Sequence, residues 1–307
     1  MSSPTGPVSG LPVRMPRPRQ PGRHRRPEPL AAPEGAPAFV LAVPGTPSAV
    51  VRSLAEEVVS IARSELPGMD ARIGYLDGDD AEFPTLQLVL TRAAEERTAR
   101  FEQARAAGMD VREPDGPVAV VVPLLAGPDS ALLRRVRQAV MESRVAAELT
   151  DVLGPHPLLA EALHVRLSEA GLARADRARL FTVATAADGI ILASVGGDEA
   201  VQAAGITGML LAARLAVPVM AAALDEEGAI AATAEQLRSS GSQQLALAPY
   251  LIGPELEPGL LDAAAKEAGC STAEALGAYP AIGKLALAKY TTALGIAPQQ
   301  PQGAPAR

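Results

Sequence analysis

The sequence predicts an α/β protein built as two tandem lobes, each carrying a four-stranded, largely parallel sheet. Three observations carry that prediction. Short apolar runs such as Phe39–Val43, Val118–Leu125 and Gly189–Ser194 are long enough for strands buried on both faces. Each is followed by a glycine- or proline-bearing turn and then a stretch with helical periodicity. The order of these units is then repeated in the second half of the chain.

Taken in order, Phe39–Val43 reads as the first strand, Pro44-Gly45-Thr46-Pro47 breaks it, and Ser48 caps a helix over Ala49–Leu66. That helix keeps Val51, Leu54, Val58 and Ile61 on one face, and Pro67-Gly68 stops it. A second strand, Asp70–Leu76, runs into the acidic stretch Asp77, Asp79, Asp80 and Glu82, and Thr85–Ala107 is a long helix. Charged residues dominate Glu95–Arg105, which places that half in solvent. Val118–Leu125 is the strongest strand, turned by Gly127-Pro128-Asp129-Ser130 into a helix from about Ala131. A weaker strand over Ala147–Leu153 and a helix over His156–Ala170 close the first half.

The second half offers strands at Gly189–Ser194, Val217–Leu224 and Gln244–Ile252, with helices ending near Leu215, Ser239 and Ala268 and a last one over Pro280–Leu294. Four pairings in the same order mark a duplication. Leu41-Ala42 before Gly45 matches Leu192-Ala193 before Gly196, and Leu76-Asp77 matches Leu224-Asp225. Pro123 before Gly127-Pro128-Asp129 matches Pro249 before Gly253-Pro254-Glu255, and the stretch from Leu153 to Glu161 matches that from Leu276 to Lys284. The expected division is a tail over 1–37, lobes over 38–172 and 173–296, and a second tail over 297–307.

Composition bounds the function. With 48% apolar and 21% charged residues the chain can build full cores, and with 3% aromatics and no Trp it must use Ala, Val and Leu. The single cysteine, Cys270, excludes an internal disulfide and fits a reducing, cytoplasmic setting. The segment to Pro37 holds ten prolines and six arginines against two glutamates, about +4, and reads as disordered. The rest is then near −11, which argues against nucleic acid as partner. Arg214 interrupts the apolar stretch Ile206–Leu224, so it reads as a buried helix and strand rather than a membrane span.

If strand order in each lobe reverses near its first strand, a ligand sits at the strands' C-terminal ends, facing a cleft between the lobes. The candidate cleft residues are Pro44, Gly45, Thr46, Asp77, Gly127, Asp129, Ser130, Gly196, Gly253 and Glu255. No GxGxxG or GxxxxGK[ST] loop and no GxSxG elbow occurs, so a nucleotide cofactor or a serine nucleophile is not expected. Cys270 has no histidine near it in sequence. His156 and His164 sit two turns apart on one helix, roughly 12 Å by helix rise, too far to share a metal. His156 reads as a cap or packing residue, His164 as a surface or boundary residue, and the acidic run Asp77–Glu82 as a solvated loop.

Several phrases carry a resemblance: Leu41-Ala-Val-Pro-Gly-Thr46, Val120-Val-Val-Pro-Leu-Leu125, the stretch Leu153–Glu161, Leu247-Ala-Pro-Tyr-Leu251 and Leu276-Gly-Ala-Tyr-Pro280. Over about Phe39–Leu294 the chain resembles the long, two-repeat form of the sirohydrochlorin chelatase family (CbiX type). The resemblance implies a chelatase-like fold of two flavodoxin-like lobes. It implies insertion of cobalt or iron, as substrate metal, into the tetrapyrrole sirohydrochlorin in cobalamin or sirohaem synthesis, a lyase reaction. That chemistry needs imidazoles beside carboxylates to take pyrrole protons and deliver the metal.

The family's two histidines fall at Pro44 and at about Ala131, and their second-lobe counterparts at Val195 and near Glu255. None is histidine, so no catalytic or metal-binding residue carries over. Three readings follow: a catalytically degenerate chelatase, a non-catalytic tetrapyrrole- or partner-binding module, and an enzyme holding metal through Asp77, Asp129 and Glu255.

Overall fold

The computed structural model describes residues 31–111, 115–173 and 187–296. Most of the two tails, and the stretch joining the repeats, lie outside them. The first repeat runs β1 (Ala38–Val43), α1 (Ala49–Glu65), β2 (Ala71–Tyr75), α2 (Leu86–Ala106), β3 (Ala119–Pro123), α3 (Ser130–Ser143), β4 (Ala147–Leu149) and α4 (Pro157–Glu169). The second runs β5 (Gly189–Ser194), α5 (Asp198–Leu215), β6 (Val219–Ala223), α6 (Ala229–Ser239), β7 (Leu245–Pro249), α7 (Leu260–Ala268), β8 (Ser271–Thr272) and α8 (Pro280–Ala293). Both sheets are fully parallel, in the orders β2-β1-β3-β4 and β6-β5-β7-β8.

These are two flavodoxin-like lobes in tandem. In each, strand order reverses between the first and third strands, so their C-terminal ends form the switch point at which open α/β sheets place ligands. The apolar runs became the central strands because every residue of β1, β3, β5 and β7 is buried, as strands covered by helices on both faces require. Local capping was also legible. Ser48 Oγ accepts from Val51 N (3.2 Å), Asp129 Oδ1 from Ala131 N and Leu132 N (2.9 and 2.8 Å), and His156 Nδ1 from Leu158 N (3.1 Å). His156 is therefore the cap expected of it.

Three features depart from the sequence reading. His164 is buried, not on the surface, and accepts a 2.7 Å hydrogen bond from Arg214 Nε. Helix α5 is not buried all round: Ile206, Met209 and Leu210 remain 47%, 67% and 42% exposed, so its apolar length covers the sheet on one side only. At the first tail, Ala32 N donates to Pro67 O (3.0 Å) and Pro37 O accepts from Tyr290 Oη (2.7 Å), so Ala32 and Pro37 are already fastened to the body. No helix among the described residues is long and apolar enough to cross a membrane.

The repeats exchange their last helices. Helix α8 packs against α1 and β3 of the first lobe, while α4 packs against α5 and β7 of the second. Gly283 lets α8 approach closely, since a Cβ there would stand 2.6 Å from the Ile61 side chain and 2.9 Å from Val58 O. Tyr290 of α8 meets Phe39 edge-on, with centroids 5.6 Å apart. In the other direction, Arg166 of α4 donates to Leu276 O at 3.2 and 3.0 Å. One apolar cluster consequently runs through both lobes, from Phe39 and Leu163 to Tyr250 and Tyr290.

Candidate functional site

The site to build is the switch point, where four strand-end turns meet. The turn after β1 lies against the turn after β7: Gly45, at φ +78°, is so close that an added Cβ would fall 1.8 Å from Pro254 O. Its pseudo-symmetric partner behaves alike. Gly196, at φ +117° after β5, would place a Cβ 2.9 Å from Pro128 O and 3.0 Å from Asp129 Cα in the turn after β3. Both contacts are backbone against backbone, so no side-chain rotation opens them. The cleft expected between the lobes is closed here.

What remains between the turns is a chamber of about 10 Å³, lined by Leu125, Gly127, Asp129, Ser194, Val195, Ala200, Tyr250, Leu251 and Glu255. Such a volume holds about one water. Glu255 is held by its own turn, Oε1 accepting from Ile252 N (2.6 Å) and Oε2 from Gly253 N (2.9 Å). Burial pushes its carboxyl above the usual range, backbone N–H groups oppose that rise, and the charge of Asp129 adds to it. Tyr250 Oη accepts from Thr207 Oγ1 (3.2 Å), and burial pushes the phenol up to about 12 against that bond. Ser194 is 2% exposed and its Oγ has no hydrogen-bond partner.

The candidates named from sequence therefore separate. Gly127, Asp129 and Glu255 line the chamber, and Gly45 and Gly196 close it. Pro44 is buried behind the turn, Gly253 is used through its N–H by Glu255, and Thr46 and Ser130 face solvent. Asp77 is exposed and paired with Arg135, so it does not join Asp129 and Glu255, and the three-carboxylate metal site is not assembled. The neighbouring acidic residues serve their own loop: Asp79 Oδ1 accepts from Ala81, Glu82 and Phe83 N–H, and Asp80 Oδ1 from Thr85 N. No group of three His, Cys, Asp or Glu side chains able to hold a metal occurs among the described residues.

Sequence reasoning missed Ser194 and Tyr250 as parts of the site. Ser194 ends β5 where Val43 ends β1, and Tyr250 follows Pro249 within the LAPYL phrase, so a repeat-to-repeat comparison of strand ends was the available signal.

Beside the closed turns lies an open groove of about 830 Å³. The turn after β4, α3, the outer face of α5 and Lys289 of α8 line it. Arg137 and Lys289 bring cations and Asp151 and Glu199 anions, while Leu133, Val152, Ala203 and Ile206 supply apolar wall. Neither Arg137 nor Lys289 takes part in an ion pair among the described residues. Lys289 also lines an adjoining hollow with His156, whose pKa is lowered by burial and then by the Lys289 charge.

Two parallel 2-1-3-4 sheets facing each other across their switch points define a chelatase-like α/β fold. No protein-family model matches the chain, and no curated protein matches it in sequence. Among solved structures it is similar to DR2241 from Deinococcus radiodurans, a multi-domain protein described as structurally similar to chelatases with two additional domains. The TM-score is 0.54 at 17% identity, covering 83% of this chain and 55% of that one, so the chain spans about half the length of this neighbour. Weaker likenesses are to a periplasmic ribose ABC transporter protein from Conexibacter woesei (TM-score 0.29, 16% identity, 73% and 66% coverage) and a probable LacI-family regulator from Corynebacterium glutamicum (0.33, 13%, 84% and 94%).

Proposed function

We propose that this chain is a catalytically degenerate relative of the sirohydrochlorin chelatases that binds an anionic tetrapyrrole, such as sirohydrochlorin, without inserting metal. The observation that carries the reading is the closure of the strand-end turns. Backbone contacts at Gly45 and Gly196 leave about 10 Å³ where a metal-inserting enzyme needs room for a macrocycle. The residues at the family's histidine positions agree with this. Pro44 and Val195 can neither accept a proton nor bind metal, Ala131 has no donor atom, and Glu255 is occupied by backbone N–H groups.

Binding is assigned to the groove because its size, its apolar wall and Arg137 and Lys289, which have no ion-pair partner among the described residues, suit a flat molecule edged with carboxylates. The test is a spectrophotometric titration of sirohydrochlorin into the protein. Saturable binding, weakened about tenfold or more in R137E/K289E, supports the assignment. Equal affinity in that variant overturns the groove, and no binding overturns the tetrapyrrole. A second reading, docking of a partner protein, is favoured by the exposed ridge Ile206, Met209 and Leu210 at the groove's edge. Failure to bind tetrapyrrole would shift support to it.

A further inference from the structure

The chamber between the strand-end turns has a charge imbalance that the proposed function leaves unexplained. Asp129 is 8% exposed, and its Oδ1 is taken by two backbone N–H groups. Glu255 spends one lone pair of each oxygen on the backbone N–H groups of its own turn. Neither carboxylate has an ion-pair partner among the described residues, and no lysine, arginine or histidine lines the chamber. Two carboxyl groups facing one narrow space with no basic side chain there repel each other when both are ionised, so either a proton or a cation must relieve them.

An independent observation points into the same space. The Ser194 hydroxyl is buried, lines the chamber and has no hydrogen-bond partner. Buried hydroxyls in folded proteins are almost always satisfied, so an orphan beside two carboxylates marks the place of something not made of protein.

We propose that the chamber binds one dehydrated monovalent cation, of the size of Na⁺, through Asp129, Glu255 and Ser194. Size selects the class. The space of about 10 Å³ accepts a single sphere, so an ion cannot enter with its full hydration shell. Mg²⁺ gives up its waters reluctantly, and Ca²⁺ takes six to eight oxygens, more than these three side chains offer. A monovalent ion carries half the charge of either, so stripping its water costs far less. Bound there, it joins the turns after β3, β5 and β7 and so fastens one lobe to the other. It is a resident ion rather than a metal in transit, and the inference stands whether or not a tetrapyrrole binds.

The test is thermal unfolding of the full chain in NaCl, KCl and tetramethylammonium chloride at matched ionic strength and pH 8. The large organic cation cannot enter, so it sets the baseline. A saturable rise of about 3–5 °C in Na⁺ at roughly tenfold excess over Kd, lost in S194A and in E255Q, is the expected result. Equal midpoints in all three salts would overturn the proposal and leave a water in the chamber. A Na⁺ effect undiminished in both variants would overturn it too, because the ion would then sit elsewhere. Should the variants fail to fold, ²³Na line broadening by the folded wild type in excess of that by the denatured chain supports the proposal, and equal broadening overturns it.

Discussion

Gly45→Ala isolates the contact that closes the lobes. Gly45 sits at φ +78°, where an L-residue is disfavoured by about 1–2 kcal/mol. Its methyl group would also stand 1.8 Å from Pro254 O and 2.7 Å from Pro254 C, both backbone atoms of the other lobe. Relief requires one turn to move away from the other, and overpacking of this kind costs about 1–3 kcal/mol. Gly68 supplies the control, because at φ +83° it bears the same conformational penalty with nothing within 4 Å of its added Cβ. The expected losses are about 2–5 kcal/mol for G45A and about 1–2 kcal/mol for G68A, the difference being the overpacking cost. Urea unfolding followed by circular dichroism measures both, a suitable probe for a chain without Trp. If G45A and G68A lose stability equally, the turns do not touch as described and the closure argument fails.

Other outcomes follow from the same structure. Tyr290→Phe removes the 2.7 Å hydrogen bond to Pro37 O and keeps the ring against Phe39, so denaturant unfolding should show a loss of about 1 kcal/mol, against about 3–5 kcal/mol for Tyr290→Ala. Asp70 is half-buried, which opposes its charge, but hydrogen bonds and attraction from Arg72, with Arg100 beyond, hold its pKa below the ordinary 3.8. Because the folded value lies below the unfolded one, the stabilisation is complete well above pH 4 and fades as pH falls through the folded value. An acid titration of stability should therefore be flatter below about pH 4 in D70N than in the wild type. Gly283→Leu, which drives a side chain into Ile61 and Val58 O, should destabilise the α1–α8 contact by several kcal/mol and release α8 to proteolysis, whereas the same change at Gly205, whose added Cβ meets nothing within 4 Å, should not.

Much of the fold was legible because its signals are local. Uninterrupted apolar runs named β1, β3, β5 and β7, and Ser48, Asp129 and His156 stood where a helix start needs an acceptor. The duplication predicted two matching sheets, and the strand orders β2-β1-β3-β4 and β6-β5-β7-β8 bear it out. The two-residue β8 was missed because pairing to β7, not its sequence, makes Ser271–Thr272 a strand. Contacts across the molecule were also hidden. Asp77 meets Arg135 only once the first lobe has folded, and His164 meets Arg214 and Gly45 meets Pro254 only once the lobes dock, at separations no periodicity reports. Three candidates reached the chamber because strand ends converge at a switch point. Ser194 was missed because a serine closing a strand looks ordinary until its hydroxyl is found without a partner.

The proposal that this chelatase-like fold inserts no metal into a tetrapyrrole has one direct test. The direct measurement mixes the purified chain with sirohydrochlorin and Co²⁺ and follows the absorbance change of cobalt insertion. The account predicts an initial rate equal to that without protein, at every protein concentration. A rate that rises in proportion to protein would contradict it, and would mean that the turns at Gly45 and Gly196 part to admit substrate.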